Sequence, residues 1–155
     1  MANRTSAGLL VYRRAPSGAI EVLIAHMGGP FWARKDNGAW SIPKGEYDPS
    51  EDPLQAALRE FEEELGHPPP QGLPLHLGSV RQPSGKIIDV WALQGDLDVR
   101  DIHSNTFELQ WPPGSGELRD YPEVDRAGWF DLAQARDKLT RGQVPFLEEL
   151  ERRLN

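Results

Sequence analysis

The chain contains no cysteine. That excludes a disulfide framework, a thiolate-bound zinc or iron–sulfur centre and a thiol nucleophile, and it fits a reducing compartment. Long apolar runs are also missing. None approaches the roughly 20 residues that a membrane helix needs. The run Ala7–Tyr12 is too short for a signal-peptide core and is stopped by Arg13 and Arg14. Positive charge is scarce: Lys plus Arg number 17 against 24 Asp plus Glu, a net charge of −7. Such a chain is a poor general binder of nucleic-acid backbone. The expectation is a cytoplasmic protein with no membrane partner and no general nucleic-acid partner, working as a monomer or homodimer.

The 155 residues fit one domain with a single core. Glycine (15) and proline (14) exceed their usual combined share of roughly 12% and are spread along the chain. This predicts a loop-rich compact domain rather than a disordered tail. Ser6–Arg13 and Ile20–Met27 read as paired strands across the turn residues Pro16, Ser17 and Gly18. Residues 28–39 read as a loop, and Ala39–Ile42 as a short strand. Leu75–Arg81 and Lys86–Leu93 read as a second strand pair, with further strands at Thr106–Trp111 and Ala127–Phe130. Leu132–Leu139 and Phe146–Leu154 show helical spacing. Strands, a helix, more strands and closing helices predict an α/β layered fold with a mixed sheet.

Residues 52–65 give the clearest helix, with Asp52 as N-cap, Pro53 in the first turn and Gly66 as terminator. At about 100° per residue, Leu54, Leu58, Phe61 and Leu65 form one apolar stripe. Glu60, Glu63 and Glu64 share a face that this wheel places roughly opposite the stripe. Like charges at this spacing destabilise a helix by a few tenths of a kcal/mol per pair. No lysine lies between Asp52 and Gly66, and Arg59 is the only base there. Three carboxylates on adjacent turns supply hard oxygen ligands suited to Mg²⁺ or Mn²⁺.

From Gly45 to His67 the sequence G-E-Y-D-P-S-E-D-P-L-Q-A-A-L-R-E-F-E-E-E-L-G-H resembles the Nudix box, G-x5-E-x7-R-E-U-x-E-E-x-G-U, where U is a bulky aliphatic residue. Gly45, Glu51, Arg59, Glu60, Glu63, Glu64 and Gly66 fall on its fixed positions. Phe61 and His67 depart from the aliphatic positions. Phe61 still serves the apolar stripe, and His67 is placed to cap the helix. More weakly, Ala7–Arg14, Trp40–Gly45 and Glu123–Phe130 resemble other parts of the family. The stretch W-S-I-P-K-G is closest to its diadenosine-tetraphosphate-hydrolase-like branch.

The resemblance implies one Nudix (MutT-like) domain over 1–155, an α/β/α sandwich with a mixed sheet, and hydrolysis of a nucleoside diphosphate linked to another group. Dinucleoside polyphosphates are the favoured substrate class. Free (d)NTPs, ADP-ribose or a non-hydrolysing nucleotide-sensing role are the alternatives. It implies Mg²⁺ or Mn²⁺ on Glu60, Glu63 and Glu64, with Arg59, Glu60 and Glu63 catalytic. Some relatives take their general base from a later loop, for which Glu108, Glu117 and Glu123 are the candidates here. Arg59 is expected to hold Glu51 by a forked hydrogen bond. Lys44 and Gly45 are expected at the phosphates, with Arg81, Lys35 and Lys86 as further cationic candidates. A flat base needs an aromatic partner, and Phe31, Trp32, Tyr47 and Trp111 lie in or beside loops. Trp91 and Trp129 read as core.

Overall fold

The structure, a computed structural model, describes residues 5–155, so the first four residues of the expected domain lie outside the described residues. Strand β1 (Thr5–Arg14) is the centre of the sheet. On one edge it runs parallel to β6 (Ile87–Gln94), in register from Thr5 with Ile87 to Tyr12 with Gln94. Its other edge is divided. Residues Tyr12–Arg14 pair antiparallel with β2 (Ile20–Met27), and Ser6–Gly8 pair antiparallel with β4 (Lys44–Glu46). Strand β2 also carries β3 (Trp40–Ser41) and β9 (Val124–Asp131), and β5 (Leu75–Arg81) extends the sheet beyond β6. Strands β7 (Thr106–Gln110) and β8 (Leu118–Pro122) form a separate antiparallel ribbon.

The central strands are apolar without interruption because both faces of the sheet are covered. Leu9, Val11, Leu23 and Ala25 pack against Phe61 and Leu65 of helix α1 (Pro53–Leu65). The alternate residues Leu10, Val22 and Ile24 pack on the other face. There they meet Ala135 of α2 (Leu132–Lys138) and Phe146, Leu147 and Leu150 of α3 (Val144–Leu154). The result is the mixed α/β/α sandwich that the resemblance implied. No helix among the described residues is long and apolar enough to cross a membrane.

The predicted ends of α1 hold. The Asp52 carboxylate accepts from the Gln55 N–H at 3.1 Å, and Gly66 closes the helix at φ 72°. The helix wheel needs correction. Its buried residues are Ala56, Ala57, Phe61, Glu64 and Leu65, while Leu54 and Leu58 are only half-buried. Small alanines at 56 and 57 let the helix approach Ala7 of β1. This close seat turns Glu60 and Glu64 toward the sheet rather than opposite the apolar stripe.

Other departures have local causes. Strand β4 is three residues long and paired only through β1, so it has no periodic signal of its own. Strand β8 is a polar, exposed sequence held by its ribbon partner. Strand β9 runs three residues earlier than expected, through Asp125 and Arg126, because its register with β2 outweighs their polarity. Trp91 and Trp129 sit at the rim of the core, half-buried. Trp91 stacks on His76 at 4.6 Å, and Trp129 donates from Nε1 to the Leu97 carbonyl at 3.0 Å. The Asp36 carboxylate accepts from Trp40 Nε1 at 2.7 Å and from Lys138 Nζ at 2.9 Å, tying the 28–39 loop to α2.

Phe61→Ala should lower unfolding stability by about 3–5 kcal/mol, and Leu58→Ala by about 2 kcal/mol or less, as read by urea titration. The Lys138 and Trp40 hydrogen bonds hold the Asp36 carboxyl below its ordinary 3.8. The ionised form therefore favours the fold above that value, and its contribution disappears as pH falls through the lower folded-state value. Thermal melts should accordingly show Asp36→Asn less stable than wild type at neutral pH, with the difference closing below about pH 4.

Candidate active site

The turn from β4 into α1 brings backbone and carboxylates unusually close. A Cβ on Gly45 would lie 1.9 Å from Glu60 Oε2, so only glycine leaves room for that carboxylate. One residue earlier, the Lys44 N–H donates to Glu64 Oε1 at 2.7 Å. Glu64 is only 9% exposed, and burial pushes its carboxyl up to about 8. The Lys44 N–H and ammonium oppose that rise, while Glu123 and Glu60 add to it. Burial likewise raises Glu60, against the pull of Arg59 and with the push of Glu63 and Glu123.

Arg59 organises the exposed side of this cluster. Its Nε and Nη2 form the expected fork on Glu51, at 2.8 and 2.9 Å. Its Nη1 bonds Glu60 Oε1 at 2.9 Å and both Glu63 oxygens at 3.2 Å. Each carboxylate in turn favours the charged guanidinium, and the fork holds the Glu51 carboxyl below its ordinary value.

A fourth carboxylate arrives from the loop before β9. The N–H groups of His103 and Asn105 donate to the carbonyls of Leu65 and Glu63 at 3.0 and 3.1 Å, docking the segment before β7 on the last turn of α1. The Asn105 carbonyl accepts from the Glu123 N–H at 2.8 Å. Glu123 thus joins the cluster, and burial and the charge of Glu63 raise its carboxyl. Among the described residues its carboxylate accepts no hydrogen bond. Beside it lies a cleft of about 540 Å³, lined by Arg59, Glu62, Glu63, Gly66, His103 and Asn105.

Of the three later glutamates, then, only Glu123 is brought to the acid face. Glu108 lies exposed within β7, and Glu117 lies at the ribbon tip, its carbonyl accepting from the Trp111 N–H. Trp111 shares that tip, about 17 Å along β7 from the docked end. Tyr47 is half-buried against Ala7, Ala56 and Ala57, where burial, with Asp89 and Asp52, raises its phenol. Arg81 is exposed at the end of β5, beyond β6 from β1. These three expected substrate contacts are not gathered at the acid face. His67 does not cap α1. It meets the Asp101 carbonyl at 2.6 Å, because Gly66 already closes the helix. Sequence reasoning passes over His103, whose docking, like that of Asn105, uses main-chain atoms and leaves no side-chain signature.

Among the described residues, no three acidic side chains stand ready around one point to hold a cation. Arg59 engages Glu60 and Glu63, and the Lys44 N–H engages Glu64. The donor set still suits a hard divalent ion: it is all carboxylate and carbonyl oxygen, without sulfur or imidazole. Burial is the first cause of the raised carboxyls of Glu60, Glu64 and Glu123, and a divalent ion among them would favour their charged forms.

A NUDIX domain profile matches residues 2–150. The chain belongs to the Nudix family. Its fold is shared with C. elegans Ap4A hydrolase in a binary complex, at 24% identity over 96% of this chain and 97% of that one, TM-score 0.69. It is also shared with the NUDIX domain of Shewanella oneidensis NrtR complexed with ADP ribose, at 18% identity over 100% and 90% of the two chains, TM-score 0.70. A NUDIX hydrolase from Nitrosomonas europaea matches at 18% identity over 97% and 90%, TM-score 0.64. The box of this Nudix domain keeps every charged position, from Glu51 to Glu64.

Gly45→Ala tests how that box is seated. The added methyl meets the mobile end of Glu60, so the side chain can swing away without unfolding the protein. The expected outcome is a melting temperature near wild type with turnover reduced by about 10²-fold, checked by calorimetry beside a kinetic assay.

Proposed function

We propose that this Nudix hydrolase is a metal-dependent pyrophosphohydrolase. It cleaves a nucleoside diphosphate linked to a second moiety, with dinucleoside polyphosphates as the preferred class. The observation that carries the reading is the meeting of Glu64 and Glu60 with the Lys44–Gly45 backbone, beside Glu63, which shares Arg59 with Glu60, and Glu123, whose carboxyl feels the charge of Glu63. Glu60, Glu63 and Glu64, with the Lys44 carbonyl, would hold Mg²⁺ or Mn²⁺. When bound, that ion polarises a phosphoryl oxygen and lowers the pKa of a water.

The remaining work falls to the chain. Arg59 keeps Glu51 in its fork and orients Glu60 and Glu63, which would hold the cation. The Lys44 ammonium offsets phosphate charge in a protein of net charge −7. Glu123, whose carboxylate accepts no hydrogen bond among the described residues, is the acceptor for the attacking water's proton. General-base assistance of this kind is worth about 10²–10⁴-fold. The base is held by the aromatics of the 28–39 loop. Phe31 is 54% exposed there, edge-on to Trp32 and covered on one side by the Lys35 ammonium at 3.6 Å. A second reading, ADP-ribose as substrate, is favoured by the fold shared with an ADP-ribose-bound Nudix domain.

The test is product release from diadenosine polyphosphates, (d)NTPs and ADP-ribose with Mg²⁺, with Mn²⁺ and with EDTA. Turnover on the first class that EDTA abolishes is expected. Preference for ADP-ribose would favour the second reading, and binding of a nucleotide without turnover would make the domain a sensor. Glu63→Gln should keep the melting temperature while losing at least about 10²-fold in kcat.

A further inference from the structure

His26 plays no part in the mechanism above, and the sequence does not single it out. It lies near the end of β2 and is 0% exposed. Its Nε2 donates to the Lys35 carbonyl at 2.7 Å, and its Nδ1 lies 2.8 Å from Asp125 Oδ1. The edge of the ring meets Trp40 at 5.2 Å between centroids. One buried ring therefore joins two segments that share no other side-chain bridge of this kind among the described residues: the 28–39 loop and the start of β9, two residues beyond Glu123.

The front of the loop is fastened to the same place. The Gly28 N–H donates to the Glu123 carbonyl at 2.9 Å, and a Cβ on Gly28 would lie 1.9 Å from the Pro122 carbonyl oxygen. Between these two anchors the loop is folded on itself, with Trp32 N–H to Gly29 carbonyl at 3.3 Å and Lys35 N–H to Trp32 carbonyl at 2.9 Å. Fixing backbone costs about 1–2 kcal/mol per residue. Here that cost orders a segment that turns Phe31 and the Lys35 ammonium outward rather than into the core.

We propose that His26 is a positioning residue for the reaction. Its two ring nitrogens set Glu123 and the Phe31–Lys35 loop in one fixed relation, so that the group taking the water's proton and the wall holding the base keep a constant spacing. This rests on the roles given above to Glu123 and to the loop. Reactions of this kind are sensitive to displacements of about 1 Å, which can cost about 10²-fold.

The two halves of the clamp can be cut separately. In His26→Asn the amide nitrogen replaces Nδ1 and keeps Asp125 but cannot reach Lys35. In His26→Gln the amide nitrogen replaces Nε2 and keeps Lys35 but loses Asp125. The expected split is a KM about tenfold higher with kcat nearly unchanged in His26→Asn, and kcat about 10–100-fold lower with KM nearly unchanged in His26→Gln. Asp125→Ala, made at a side chain that is 30% exposed, should reproduce the His26→Gln result without disturbing the buried ring. A merely structural histidine would lower the folded fraction in both variants while leaving KM and kcat per folded molecule intact, and that result overturns the proposal. Amide hydrogen exchange over residues 28–39 gives a reading without substrate. It should accelerate in His26→Asn and stay near wild type in His26→Gln. Unchanged exchange in His26→Asn overturns the clamp, whereas absent turnover in wild type overturns only the functional reading.

Discussion

The Arg59 guanidinium holds Glu51, Glu60 and Glu63 at once, and the exposed side of the acid face depends on it. Helix α1 places Glu60, Glu63 and Glu64 within one turn of each other, an arrangement that repels itself. Burial makes the repulsion worse, because a carboxylate removed from water needs a partner. Lysine could supply the charge but not the shape. The planar fork fixes its own orientation on Glu51 and leaves Nη1 aimed at Glu60 and Glu63. The charge of Arg59 is thereby pointed along the helix face rather than shed into solvent.

The sheet prepares the seat for that helix by changing partners along β1. Strand β2 leaves β1 after Tyr12, and β4 takes over at Gly8, with the Pro43 carbonyl accepting from the Leu9 N–H at 3.1 Å across the junction. A continuous β2 would fill that edge with side chains. The exchange instead exposes a short run of backbone, Lys44 and Gly45, to the carboxylates of Glu64 and Glu60. Small residues on both sides, Ala7 below and Ala56 and Ala57 above, let the layers close.

What the sequence disclosed follows from which forces are local. The caps of α1 and the pairing of β1 with β2 arise from side chains acting within a few turns or along one strand, and the Arg59–Glu51 fork follows from the box spacing that carried the resemblance. They were legible. The helix wheel was misleading because large residues at 54 and 58 outscore small ones at 56 and 57, although closeness of packing is set by the small ones. Glu123 appeared as one of three candidates, since nothing near it in the chain distinguishes it from Glu108 or Glu117. Its selection comes from main-chain bonds through Asn105. His26 was silent for the same reason: its partners lie on two other segments, one of them a carbonyl, which any residue could supply.

The distance along the chain between the site's parts has a consequence for synthesis. His26 and Asp125 are 99 residues apart, as are nearly the ends of the span between β2 and β9. Translation at about 5–20 residues per second separates their emergence by several seconds or more. During that interval the growing chain can present the box helix and its carboxylates. It lacks the strand that delivers Glu123 and closes the open edge of β2. A fragment ending before β9 therefore keeps the box helix but leaves one edge of β2 unpaired, and an unpaired strand edge invites pairing with another chain.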